Sequence, residues 1–160
     1  MASTSTSIAR RVEAAAAEWP GVTVEDHRFG GREFRLGTRE VGHLHGDRQA
    51  DIAYPRPVRD AVVGAGLAGP HHLFPDSGWV TYRVDGATEQ VAGTGATEQA
   101  AENGTADRIA DLLRLSYLVH AAALRRRGDI PELESLDVQL ELDALGLAPD
   151  VTAVVRTRVA

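Results

Sequence analysis

Arg39-Glu40-Val41-Gly42-His43-Leu44-His45-Gly46-Asp47 opens the stretch that decides the fold, and Gly69-Pro70-His71-His72-Leu73-Phe74-Pro75-Asp76-Ser77-Gly78-Trp79 closes it. Glu40 to His45 alternates with the two-residue period of a strand. That places Val41, His43 and His45 on one face, and Glu40, Gly42 and Leu44 on the other. Four of the six histidines lie in this stretch, in two pairs. Pro55-Arg56-Pro57 and Gly69-Pro70 are breaks, and the apolar positions Val58, Ala61, Val62 and Ala65 between them have helical spacing.

Upstream, Val22-Thr23-Val24 and Glu33-Phe34-Arg35-Leu36 read as strands separated by the Phe29-Gly30-Gly31 and Gly37-Thr38 turns. Together with Glu40–His45 they make an antiparallel meander. Ala50–Tyr54 is a candidate fourth strand, and Gly78–Val84 is the clearest strand of all. Residues 3–19 predict an amphipathic helix ended by Pro20-Gly21. Residues 85–104 hold almost no large apolar side chains and echo Ala-Thr-Glu-Gln twice, the pattern of a flexible insertion. A helix is expected from about Thr105, with Ile109, Leu112, Leu113, Ser116, Tyr117 and His120 on its stripe and Gly128 at its end. The fold class is therefore α+β: an antiparallel sheet of four to five strands with helices packed on one face. Residues 1–128 form the domain and 129–160 a C-terminal extension. In that extension Val138–Leu142 alternates like a strand and Val151–Val159 is β-prone, which leaves open a terminal hairpin or a short helix plus a strand.

Composition narrows the chemistry. The 160 residues suit one domain. With no cysteine, disulfides, thiolate metal sites and cysteine nucleophiles are excluded. All seventeen basic residues are arginines, so Schiff-base lysines and a Walker-type phosphate loop are excluded too. The net charge of −6 argues against nonspecific binding to nucleic acid. No apolar run approaches the ~20 residues of a membrane span, and the polar N-terminus is not that of a secretory signal. A cytoplasmic location is expected.

His43 and His45 stand about 7 Å apart at Cβ on one side of a strand. That spacing can chelate one divalent metal ion, as the lesser alternative to a polar sheet edge of hydrogen-bonded histidines. Of the adjacent pair His71-His72, strand geometry sends one ring into a shared site, taken as His72, and the other away. Histidine is a natural general base near neutrality, and His72 is the candidate. Asp51 and Trp79 are candidate substrate contacts, Trp79 as a stacking platform. Arg39 is a candidate for stabilising negative charge. Ser77 reads as a turn residue, and His27 and His120 as isolated.

The string Arg39–His45, then Pro70–Val80, then Leu113-Arg114-Leu115-Ser116-Tyr117 resembles a family labelled luciferase-like. That family includes small bacterial and archaeal proteins and, more distantly, the luciferase of bioluminescent fungi. The resemblance spans residues 10–84 and 105–121. It implies an oxygenase-type enzyme that needs no cofactor, acts on a flat oxygenated aromatic or pyrone-like compound, and uses His43, His45 and His72. A non-enzymatic module binding a small ligand or a protein is the alternative. A looser likeness to YjbR-like α+β proteins implies nucleic-acid binding, which the acidic balance opposes.

Overall fold

The computed structural model describes residues 7–28, 30–84 and 98–160. Helix α1 (Ile8–Ala17) leads into strands β1 (Val22–Asp26), β2 (Arg32–Leu36), β3 (Arg39–His45) and β4 (Gln49–Ala53). Helix α2 (Arg56–Gly64), the two-residue strand β5 (Gly69–Pro70) and strand β6 (Trp79–Arg83) follow. The chain ends with helix α3 (Glu98–Arg127), a single 3₁₀ turn (Pro131–Leu133), and helices α4 (Val138–Leu145) and α5 (Pro149–Val159). The six strands form one antiparallel sheet in the order β1-β2-β3-β4-β6-β5, with helices on one side. This is the expected α+β class with one strand more than expected. Gly69-Pro70 does not merely turn the chain: it pairs with Thr81 and Val80 at the sheet edge, where a proline forfeits no interior ladder bond.

The sheet register separates core from site. Phe34, Gly42, Ile52 and Val80 are neighbours across β2, β3, β4 and β6, and they form one row under the helices. Phe34, Ile52 and Val80 are fully buried. Helix α3 lies so close that a Cβ on Gly42 would sit 2.6 Å from Leu113 Cδ1 and 2.9 Å from the Asp51 carbonyl oxygen. Ser116 of α3 ties the helix to the sheet, its Oγ 2.5 Å from the Ala53 carbonyl and 3.0 Å from that of Val41. Tyr54 donates its hydroxyl to the Leu112 carbonyl at 2.6 Å.

Two regions differ from the reading by pattern. Helix α3 already runs from Glu98, seven residues before the expected start. Residues 98–102 are good helix formers, Gln99 bonds Asn103 one turn on at 2.9 Å, and the small side chain of Ala101 is buried. The rest of the expected insertion, residues 85–97, lies outside the described residues. The C-terminal segment contains no strand. Asp137 caps α4 by accepting from the Leu140 N–H, Gly146 ends it in the left-handed conformation, and Pro149 opens α5. Val138 and Leu142, then Val151 and Val155, are buried at helical i, i+4 spacing and join Leu133 in the one core. The C-terminal segment thus completes the domain core.

Candidate active site

The next register row, Glu33, His43, Asp51 and Thr81, faces away from the helices. Asp51 is its centre and is fully buried. Its Oδ2 lies 3.2 Å from His43 Nε2, 2.9 Å from His45 Nε2 and 3.7 Å from His71 Nε2. Its Oδ1 accepts the Thr81 hydroxyl at 2.7 Å and stands 3.8 Å from His72 Nδ1. The Gln49 amide meets both Asp51 oxygens, at 3.3 and 3.2 Å.

Glu40 joins this face through a bulge. Between β2 and β3 the register moves from Phe34 with Gly42 to Arg35 with Glu40, so Val41 is an extra residue. Strict alternation would put Glu40 opposite His43. The extra residue brings it to the same side, where its Oε1 meets His43 Nδ1 at 2.6 Å. Val41 is correspondingly buried and does not share the histidine face. His27, just after β1, is not isolated either: its ring stacks on His43 at 4.1 Å and 10°.

His43 therefore sits between two carboxylates. Burial opposes its charge, but the hydrogen bonds to Asp51 and Glu40 and their negative charges prevail and push its pKa up to about 9. For Asp51, burial opposes the charged form; hydrogen bonds from His43, Thr81 and His45 outweigh it and hold the carboxyl well below its usual range. His71 and His27 move the other way, chiefly because burial disfavours the imidazolium and the neighbouring histidine charges add to it.

The hydrogen bonds assign the His71 tautomer. His71 Nδ1 accepts the backbone N–H groups of Leu73 and Phe74 at 3.2 and 3.1 Å, so in the neutral ring its proton is on Nε2, facing Asp51. Thr81 has one hydroxyl proton and gives it to Asp51. His72 Nδ1 lies 3.3 Å from Thr81 Oγ1, which would take its proton, and 3.4 Å from the Gln49 amide nitrogen, which would need its lone pair, so these contacts do not assign its tautomer.

A cavity of about 250 Å³ lies over this cluster. All four rings of the two histidine pairs line it, with His27, Glu40, Asp51, Trp79 and the loop side chains Leu73 and Phe74. The structure thus brings His43, His45, His72, Asp51 and Trp79 together. It also brings in His71, which was expected to point away: residues 71–75 are irregular, so strand alternation does not govern them. Arg39 does not line this cavity. It lines a neighbouring one with His120, Arg126 and Arg158, and the two share Glu40 and Trp79 as a common wall. Ser77 is the expected turn residue, its hydroxyl donating to the Phe74 carbonyl at 2.7 Å. His120 is packed on α3, with Nδ1 2.7 Å from the Ser116 carbonyl.

Glu40, His27 and His71 escape a reading by strand period because a bulge, a turn and an irregular loop position them. The sequence signal for Glu40 is its place in the histidine strand, within the Arg39–His45 string that carries the resemblance. Among the described residues, three sets bring potential metal-ligand atoms within 4.8 Å of one another: His43, His45 and Asp51; Asp51, His71 and His72; and His27, Glu40 and His43. No described helix is long and apolar enough to cross a membrane.

No curated protein and no solved structure matches the chain. A protein-family model described as Luciferase domain matches residues 38–91. The matched residues include β3, β4, α2 and β6, and hence His43, His45, Asp51, His71, His72, Thr81 and Trp79. That match supports a luciferase-like assignment, through the stretch that holds the histidine cluster.

Proposed function

We propose that the histidine cavity is the active site of an oxygenase-type enzyme for a flat, oxygenated aromatic or pyrone-like molecule with an ionisable hydroxyl group. The observation that carries this reading is the pairing of a buried Asp51, ringed by imidazoles, with a cavity walled by Trp79, Leu73 and Phe74. Its volume is at the small end for ligand pockets, which suits one or two fused rings.

The lone pair of the neutral His72 ring takes the hydroxyl proton of the substrate. The enolate or phenolate that results is held by positive charge at His43 and by His45. Its carbon gives an electron pair to molecular oxygen and a C–O bond forms. The substrate carbon is oxidised by two electrons and oxygen is reduced to the peroxide level. The proton returns from His72 to the terminal oxygen, giving a hydroperoxide with all atoms of both reactants.

The test is oxygen uptake with a panel of hydroxypyrones and hydroxylated aromatics, alongside thermal-shift measurements. Wild type should bind and consume oxygen, His72→Ala should bind without turnover, and Trp79→Ala should bind poorly. The site assignment fails if ligands stabilise wild type, His43→Ala and His72→Ala equally. A non-enzymatic binding module is the second reading, favoured by Leu73 and Phe74, which are 68% and 64% exposed at the rim. It expects binding with no oxygen uptake for any compound in the panel.

A further inference from the structure

We infer that His43, His45 and Asp51 form a metal-binding triad for a divalent first-row transition ion, with open positions facing the cavity. The inference deepens the proposed function only in giving the substrate oxygen a second partner; metal binding itself stands or falls separately.

The geometry is that of ligands around an ion. Tetrahedral bonds of ~2.0–2.1 Å place neighbouring ligand atoms roughly 3.3 Å apart. His43 Nε2 and His45 Nε2 stand 3.2 and 2.9 Å from Asp51 Oδ2, and all three atoms lie within 4.8 Å of one another. Two histidines and one carboxylate with free positions are the ligand set of non-haem iron(II) oxygenases. All nitrogen and oxygen donors here suit iron, cobalt, nickel or zinc, with no thiolate in the chain to favour softer ions.

The surroundings are those of a ligand shell that is held in place. A ligating histidine normally gives its other N–H to a carboxylate, which fixes the ring and raises its basicity. His43 Nδ1 does so to Glu40 at 2.6 Å. Asp51 presents Oδ2 to the two rings while Thr81 and Gln49 hold the carboxylate in place. His27 stacked on His43 limits its rotation further. The His71 tautomer decides the ligand number: with Nδ1 accepting two backbone N–H groups, Nε2 carries a proton and is a donor, not a ligand. Three protein ligands with an open remainder is the pattern of a catalytic site, whereas structural sites are closed by four. The ion would replace the protons with which His43 and His45 meet Asp51. It would also supply the positive charge that His43 otherwise offers an enolate oxygen.

The test uses the full chain without a histidine tag, stripped with chelator, titrated with cobalt(II) and, anaerobically, with iron(II). Calorimetry and elemental analysis give the stoichiometry. One equivalent per chain is expected, with a visible cobalt spectrum. Glu40→Gln should weaken binding about 10–100-fold. His45→Ala should weaken it more, and His72→Ala should leave the stoichiometry at one. Because Asp51→Asn risks unfolding, the half-exposed His45 is the primary variant, with circular dichroism to show that it folds. Failure to bind either ion, or binding unchanged in His45→Ala, overturns the triad. Stoichiometric metal with no oxygen uptake upholds the triad and sinks the oxygenase reading instead.

Discussion

Asp51 is the residue on which the site depends. It is a fully buried carboxylate that gathers two histidines within 3.2 Å, a threonine hydroxyl and a glutamine amide. Removing one partner of a buried ion pair costs about 3–5 kcal/mol, because the other charge is left uncompensated. Asp51→Ala should therefore lower unfolding free energy by about that amount, as urea denaturation at neutral pH would show. Thr81→Val tests the same cluster more gently. It removes one hydrogen bond to a charged group, worth about 1.5–3 kcal/mol, and keeps the shape. If Thr81→Val proved as costly as Asp51→Ala, the carboxylate's pairing with histidine would not be what stabilises the cluster. The candidacy of Asp51 was legible in the sequence, one turn along from a His-x-His strand. Its role as centre was not, because only the β3–β4 register sets it directly opposite His43.

At the scale of elements, local signals and tertiary contacts divide the work. Strands β2 to β4 and β6 follow from alternation and turn residues, which act over a few positions. Helices α4 and α5 do not, because short apolar runs fit either period. Caps and packing decide for helix there. Asp137→Ala should cost about 1 kcal/mol through loss of the α4 N-cap, read as a shift in the thermal midpoint. A null result would mean that packing alone holds that end of the helix. Gly42 is the point at which α3 meets the sheet, and Gly42→Ala would drive a methyl group into Leu113 and the Asp51 carbonyl. Overpacking of this kind costs about 1–3 kcal/mol. It should also disturb the histidine cluster from behind, visible as altered imidazole NMR shifts for His43 along with the stability loss.

At the scale of the molecule, the sheet keeps two polar systems apart. The histidine cavity occupies its open side, while His120 on α3 lies in the second cavity. His120 shares that cavity with Arg39 from β3, Arg126 from α3 and Arg158 from α5, with Glu40 the one acid among the described residues that line it. The pKa of His120 is lowered, first by burial and further by Arg39, against a hydrogen bond to the Ser116 carbonyl that raises it. A histidine whose folded pKa lies below its unfolded value binds more protons when unfolded. Its stabilisation is thus complete above the unfolded value of about 6.5 and is lost as pH falls below it. Wild type should lose more urea resistance between pH 7.5 and 5.5 than His120→Asn does. Equal losses in the two proteins would show that His120 does not contribute to the acid limb.

The sequence by itself determined the α+β class, the meander, the long C-terminal-side helix and the His-x-His strand, because these rest on periodicity and turn chemistry within a few residues. It also marked His43, His45, His72, Asp51 and Trp79 as candidates. Only the tertiary structure decided that Asp51 is the centre, that Glu40, His27 and His71 belong to the cluster, and that Arg39 belongs to another cavity. The physical reason is that strand register, one bulge at Val41 and an irregular loop after Pro70 set those positions. Each is fixed by contacts between segments distant in the chain, which no local period records.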